Sequence, residues 1–301
     1  MRPRRRGPKP HRTPPSVLHR VLVGGLTVRQ LASQRQCIAV PTYRYRFRQA
    51  LQRFVARPHA QPLPPGPLLL LVDGLWFQFA GRPWILYLTA LRACRGHRAR
   101  FLDPLLLPGQ EGASRWRHVV AALPPAAQRR IRGFVADDLP GMRRIARDHG
   151  WILQLCHFHL LLRLRGPRPH PRPHALRRPA VRAALDRLVR QALVLPDGPR
   201  LERCLARLRH LAHRDCGTLR TQRTIRQFLQ HVADYRAYLT HPELGLPRTT
   251  SAVESMGRIV RELFRSSRAG SNPRSLLLWA TALIRLRPEV ICNGCLINEN
   301  P

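Results

Sequence analysis

Two short and mostly apolar runs, each ending at an acidic residue, constrain this chain more than any other feature. Leu68 to Val72 leads into Asp73, and Ile131 to Ala136 leads into Asp137. Apolar runs of this length are typical of strands that are buried on both faces of a sheet. Acidic residues are scarce, 16 against 53 basic ones. The pattern therefore predicts an α/β core with carboxylates at the ends of buried strands.

The composition indicates a globular protein with a polyanionic partner. A chain of 301 residues, 44% of them hydrophobic, can build one large domain and one or two small ones. The formal net charge of +37 favours DNA or RNA, because each phosphate that an arginine neutralises releases condensed counterions. We expect the five tryptophans to fill the core.

The seven cysteines stand at irregular spacings and do not form a disulfide framework. We also find no secretory signal and no apolar stretch of 18 residues. We therefore expect an intracellular, reduced and soluble protein, in a bacterial cytoplasm and associated with the nucleoid.

The N-terminal part predicts a basic arm, a small helical domain and a linker. Residues 1–15 are rich in Arg and Pro and should be disordered. In residues 16–57, Gly24 ends a first helix, Thr27 caps a second, and Pro41 opens a third. This order is typical of a helix-turn-helix, although an ordinary three-helix packing unit is the alternative. The third helix carries the candidate DNA-binding residues Arg44, Arg46 and Arg48.

A proline-rich linker, 58–67, precedes a mixed α/β unit, 68–165. The predicted strands are Leu68 to Phe79, Trp84 to Leu91, Arg100 to Leu107, Ile131 to Asp137 and Trp151 to Cys156, and the predicted helices are Ala113 to Leu123 and Pro140 to Asp148. The order βββαβαβ predicts an antiparallel start followed by parallel crossovers, with helices covering the sheet. This is the order of a ribonuclease-H-like fold.

A basic, all-helical insertion is predicted at 166–246, after a proline-rich break at 166–179. Residues 247–301 then form the second part of the core, where a helix from Ser251 to Phe264 carries a third isolated acid, Glu254. Arg258, Arg261 and Arg265 recur every three or four residues after it, with Arg268 continuing the series. This stripe either holds a DNA backbone beside the acids or is simply a solvated face.

Three acids would form one metal site. In a ribonuclease-H-like sheet the first and fourth strands are neighbours, so Asp73 and Asp137 would lie within about two strand spacings. Carboxylates this close repel one another unless cations lie between them. Mg²⁺ prefers oxygen ligands, and two ions about 3.5–4 Å apart would serve an in-line displacement at a phosphodiester. Glu254 would complete the coordination.

Each acid also has a plainer interpretation. Asp73 followed by Gly74 is compatible with a turn, although the apolar continuation favours a strand that passes through. Asp137 and Asp138 are adjacent, and either can cap the next helix; we prefer Asp137 as the ligand and place Asp138 nearer the cap. Glu254 taken alone is an ordinary helix acid. Asp103 is predicted to be structural.

The motifs together, from about Val17 to about Gly294, resemble DDE transposases of the Mutator-like (IS256-like) superfamily. The residues that carry the resemblance are Val72-Asp73-Gly74-Leu75-Trp76, Gly133-Phe134-Val135-Ala136-Asp137-Asp138, Cys156-His157-Phe158-His159, Pro247-Arg248-Thr249-Thr250-Ser251-Ala252-Val253-Glu254-Ser255, and a tail from Arg285 to Gly294. Any one motif is weak, but their order and spacing are fairly specific.

The resemblance implies a ribonuclease-H-like core interrupted by a helical insertion, with Asp73, Asp137 and Glu254 as a catalytic triad. Such a triad uses two Mg²⁺ or Mn²⁺ ions to cut and join double-stranded DNA at inverted repeats. Joining two ends favours a dimer or a larger homo-oligomer. The other functions to be weighed are an inactive, DNA-binding relic of a transposase and another ribonuclease-H-like nuclease.

Cys156 and His159 match the C-x-x-H element of the same superfamily. One such pair supplies half of the four ligands of a zinc site. The alternative, which we favour, is that His159 orients a substrate phosphate or a triad carboxylate while Cys156 packs in the core.

Overall fold

The structure is a computed structural model that describes residues 14–33, 39–59, 62–165, 179–213, 219–267 and 272–292. Its strands are β1 Leu68–Phe79, β2 Arg82–Ala93, β3 Arg98–Phe101, β4 Leu105–Pro108, β5 Ile131–Ala136, β6 Ile152–Leu155 and β7 Glu289–Ile291. Its helices are α1 Pro14–Leu22, α2 Val28–Ser33, α3 Val40–Ala56, α4 Ala113–Ala121, α5 Pro125–Gln128, α6 Met142–Asp148, α7 His157–Arg165, α8 Pro179–Val194, α9 Pro199–His213, α10 Leu219–Gln230, α11 Val232–Tyr235, α12 Ala237–Thr240, α13 Ser251–Ser267 and α14 Pro273–Leu286, with a 3-10 turn at Pro242–Leu244.

One sheet joins the strands in the order β6-β5-β1-β2-β3-β7, and β4 also pairs with β2. Strands β1 and β2 are antiparallel, whereas β5 runs parallel to β1, and β6 runs parallel to β5. The predicted antiparallel start with parallel crossovers is therefore confirmed. The fold is mixed α/β, as the sequence predicts.

The hairpin and the third strand differ from the prediction. Only Ala80 and Gly81 separate β1 from β2, and both have positive φ, 47° and 75°. A two-residue turn needs this geometry to match the twist of its strands. The predicted third strand is split into β3 and β4 around Pro104, whose missing N–H cannot join a ladder. Asp103 in this break pairs with Arg285, which confirms its structural role.

Strand β1 is buried on both faces, which explains its apolar run. Leu68 and Leu70 pack into the core on one face, together with α4 and α6. Leu69 and Leu71 pack into the core on the other face, together with α13 and α14. Because side chains alternate along a strand, neighbouring residues of β1 face different helical layers.

The three predicted N-terminal helices are present, and they share one core with the sheet. Thr27 Oγ1 accepts a hydrogen bond from Gln30 N at 3.1 Å, and Gln30 Oε1 accepts one from Thr27 N at 2.8 Å, which forms the cap of α2. Helix α3 packs on α14 through Phe47 and Trp279. The candidate residues Arg44, Arg46 and Arg48 are exposed. Helix α1 begins at Pro14, inside the predicted arm, and the rest of that arm lies outside the described residues.

The described part of the predicted insertion is helical, as expected, whereas its proline-rich break at 166–178 lies outside the described residues. Gln154 on β6 anchors these helices, because Nε2 donates to Tyr235 O at 3.0 Å and Oε1 accepts from Tyr238 N at 2.9 Å. Among the helices that the structure describes, none is both long enough and apolar enough to cross a membrane.

Candidate functional site

Asp73 lies inside β1 and does not end it. It pairs in register with Leu88 of β2, and the strand continues to Phe79. Asp73 occupies the same face of β1 as Leu71 and Leu75, the face that α13 covers. The interpretation of Asp73 as a turn residue is therefore wrong, and the strand that passes through is confirmed.

Asp137 directly follows β5, the parallel neighbour of β1. This pairing brings Asp137 and Asp73 to the wall of one small cavity of about 70 Å³, which Glu111 and His159 also line. The backbone N–H of Asp138 donates to Asp137 Oδ1 at 2.7 Å, so the carboxylate is held by its own chain. The two aspartates thus meet as the strand pairing predicts.

Glu254 approaches the same place from the first turn of α13. Thr250 Oγ1 donates to Glu254 Oε1 at 2.7 Å and fixes the carboxylate. His159 Nδ1 lies 3.7 Å from this oxygen and 3.9 Å from Asp137 Oδ1. The structure therefore brings the second and third predicted acids, Asp137 and Glu254, close to the same ring nitrogen of His159.

The predicted accessory pair lies in the same cluster. Cys156 Sγ accepts a hydrogen bond from Thr250 N at 3.5 Å, lies 3.4 Å from Thr250 Oγ1, and donates to Glu254 Oε1 at 3.7 Å. The ligand atoms of Cys156, His159 and Glu254 all lie within 4.8 Å of one another. Among the described residues, the three acids by themselves do not form a group this tight. Cys156 is buried, but it makes polar contacts at the site in addition to packing.

The electrostatics of the cluster show uncompensated negative charge. The pKa of Asp73 is raised to about 7, mainly because the carboxyl is buried; His159 and Arg261 oppose this shift, and the carboxylates of Glu254 and Glu111 contribute to it. Burial alone would lower the pKa of His159, but Cys156 and the carboxylates of Asp137 and Asp73 raise it to about 9. At neutral pH His159 is therefore a cation that partly balances the acids.

Asp138 has a different role from the one predicted. Helix α6 begins after Gly141 and has no side-chain cap, so Asp138 does not cap it. Its carboxylate is buried and accepts from Arg143 Nη2 at 3.1 Å, Arg163 Nη2 at 3.4 Å and the Tyr235 hydroxyl at 3.1 Å. Asp138 therefore ties the loop that holds Asp137 to α7 and to the helical insertion.

The sequence reasoning missed Glu111, a fourth acid at the site. Glu111 stands in the loop before α4 and accepts a hydrogen bond from Trp116 Nε1 at 2.9 Å. Burial raises the pKa of Glu111, as does Asp137. The signal that could have found it is an acid among glycines, between a strand and a helix, in a chain poor in acids.

The basic stripe on α13 and one tryptophan complete the surroundings. Arg258, Arg261 and Arg265 are exposed, and Arg261 acts electrostatically on Asp73, which places the stripe beside the acids. Arg268 lies outside the described residues. Trp76 does not fill the core as expected, because 56% of its surface is exposed.

No model of a known protein family matches the chain, and no curated protein matches its sequence. The function must therefore be argued from the geometry of the site.

We predict that Asp73→Asn stabilises the fold at neutral pH. The unfolded carboxyl ionises near 3.8 and the folded one near 7, so between these values only the unfolded state gains the charge and stability falls as pH rises. Asn does not ionise, so the free energy of unfolding of the variant should exceed that of the parent by about 1–3 kcal/mol at pH 8. At pH 4 the two free energies should be nearly equal. Denaturant unfolding in EDTA measures this. A parent as stable as the variant at pH 8 would contradict the burial of a charged Asp73.

Proposed function

We propose that this protein is a DNA transposase with a ribonuclease-H-like catalytic core, a helical insertion and an Asp73, Asp137 and Glu254 triad. One observation carries the proposal: the parallel pairing of β1 with β5 brings Asp73 and Asp137 to one cavity, and α13 brings Glu254 to the His159 nitrogen that Asp137 also approaches. The proposed activity is cleavage of element ends by water, followed by strand transfer through a 3′-hydroxyl.

The sheet supports the fold part of the proposal. If β3 and β4 are counted as one interrupted strand, the first and fourth strands lie side by side, as in ribonuclease-H-like sheets. The helices of 166–246 enter between the last parallel strand and the helix that bears the third acid. This is the organisation that the resemblance implies.

The carboxylates of the proposed triad are donors of the kind that hard divalent cations bind. Asp73, Asp137 and Glu254 offer carboxylate oxygens, which Mg²⁺ and Mn²⁺ prefer. When bound, two such ions would activate the attacking oxygen and stabilise the leaving oxygen. His159 Nδ1 lies 3.7 Å from Glu254 Oε1 and 3.9 Å from Asp137 Oδ1, so the ring is placed to orient these two carboxylates.

The surface charge supports DNA as the substrate. Arg258, Arg261 and Arg265 lie on the helix of Glu254, so a DNA backbone held there is next to the acids. Arg44, Arg46 and Arg48 on α3 offer a second basic surface, which we assign to binding of the terminal repeats. Two active sites, and hence a dimer or a larger assembly, would process two ends of an element, and the protein would act at the nucleoid.

The test is a cleavage assay with Mg²⁺ on three substrates. Linear duplex that carries the DNA flanking the gene should be cut at inverted repeats and joined to a second duplex. Exclusive cutting of a four-way junction would instead identify a resolvase, and exclusive cutting of an RNA–DNA hybrid would identify an RNA-strand hydrolase. Tight duplex binding without any cutting would identify an inactive relic. Each of these three results contradicts the proposal.

A further inference from the structure

We propose that Glu111 is a fourth carboxylate ligand of the metal site, on the side formed by Asp73 and Asp137. This inference rests on the proposed function, because it assigns one more residue to the same metal-dependent centre. Glu111 lines the cavity with both aspartates, and it interacts electrostatically with each of them.

Glu111 is held in place as a ligand needs to be. Trp116 Nε1 donates to Oε1 at 2.9 Å, and Trp116 is itself only 1% exposed, so one carboxylate oxygen is fixed by a rigid partner. Fixing one oxygen in this way orients the other for a cation. Glu111 is partly buried, and an ionised carboxylate in such a position carries a cost in desolvation free energy unless a cation compensates its charge.

Gly74 provides the space that Glu111 occupies. A Cβ built on Gly74 would overlap the carboxylate, lying 2.7 Å from Glu111 Cδ and 3.0 Å from Oε2. Gly74 adjoins Asp73 in β1 but belongs to the opposite face of the strand. Glu111 therefore reaches the cavity from the side of α4, whereas Glu254 reaches it from the side of α13.

The donors then divide into two chemically different halves. Asp73, Asp137 and Glu111 form an oxygen-only half, which suits Mg²⁺. Cys156, His159 and Glu254 form the other half, in which Glu254 is the carboxylate and His159 is a cation at neutral pH. Glu111 supplies the oxygen-only half with a third carboxylate.

The experiment measures Mn²⁺ binding to the full chain by calorimetry and by electron paramagnetic resonance, without DNA. Glu111→Gln keeps the size of the side chain and an oxygen that accepts from Trp116, and it should weaken Mn²⁺ binding about tenfold or more. Gly74→Ala alters no ligand but should displace the carboxylate of Glu111, so it should weaken binding as well. The double variant should bind Mn²⁺ with the same affinity as Glu111→Gln alone, because both changes act through one carboxylate. Glu262→Gln, an exposed acid of α13, is the matched control.

Binding of Mn²⁺ by Glu111→Gln or by Gly74→Ala with the affinity of the parent would overturn the assignment of Glu111 and leave the triad in place. If Glu111→Gln does not fold, the Mn²⁺ affinity of Gly74→Ala tests the assignment by itself. This variant should fold, because the backbone conformation of Gly74 is one that alanine also adopts. Failure of the parent chain to bind Mn²⁺ would overturn the proposed function together with this inference.

Discussion

Asp73→Asn, Asp137→Asn and Glu254→Gln should each reduce Mg²⁺-dependent DNA cleavage about a thousandfold or more, with little change in DNA affinity. Each change keeps the shape of the side chain and removes the charge that would bind a cation. Glu254→Gln also keeps an oxygen that can accept from Thr250, so the first turn of α13 is preserved. Single-turnover cleavage gives the rate, and fluorescence anisotropy gives the affinity for the same duplex.

The matched control is Glu262→Gln, two turns further along the same helix and exposed, which should cut DNA at the rate of the parent. Substantial cutting by all three triad variants would refute the triad. Loss of stability cannot explain inactivity of Asp73→Asn, because we expect that variant to be more stable than the parent at pH 8. We therefore expect activity and stability to change in opposite directions on Asp73→Asn, as is common for carboxylates held in functional sites.

Much of the central sheet could be predicted because its signals are local. The apolar run and the aromatic continuation of β1 give its bounds, Leu68–Phe79, without any tertiary information. The element order βββαβαβ is that of a ribonuclease-H-like sheet, in which the first and fourth strands are neighbours, and this places Asp73 beside Asp137. These two steps bring the first two acids together from sequence alone.

The rest depends on contacts between residues distant in the chain. Glu111 reaches the cavity only because Gly74, 37 positions earlier, has no side chain, and no local pattern records that relation. Strand β7 forms because Glu289–Ile291 pairs with β3, near 190 positions away in the sequence. A strand of three residues is too short to show a periodic pattern in the sequence. Local rules place Asp138 near a helix cap, whereas its actual partners come from α6, α7 and α11.

Asp138→Ala should lower the free energy of unfolding by about 3–5 kcal/mol, the typical cost of removing one member of a buried ion pair. The residue is 3% exposed, and loss of its carboxylate removes one acceptor from each of Arg143, Arg163 and the Tyr235 hydroxyl. Because these partners belong to α6, α7 and the insertion, the damage should extend beyond the loop of Asp137. Urea unfolding, followed by far-ultraviolet circular dichroism, measures the change.

Asp148→Ala is the control for Asp138→Ala, because Asp148 is exposed and its contact with Arg144 at 3.7 Å is an i,i+4 surface pair. Such pairs contribute about 0.5 kcal/mol or less, so this variant should unfold close to the parent. Equal stability of the two variants would show that the Asp138 network contributes nothing to the fold. A large difference in stability would show that Asp138 is structural. The roles of Asp137 and Asp138, which the sequence alone leaves ambiguous, would then be separated.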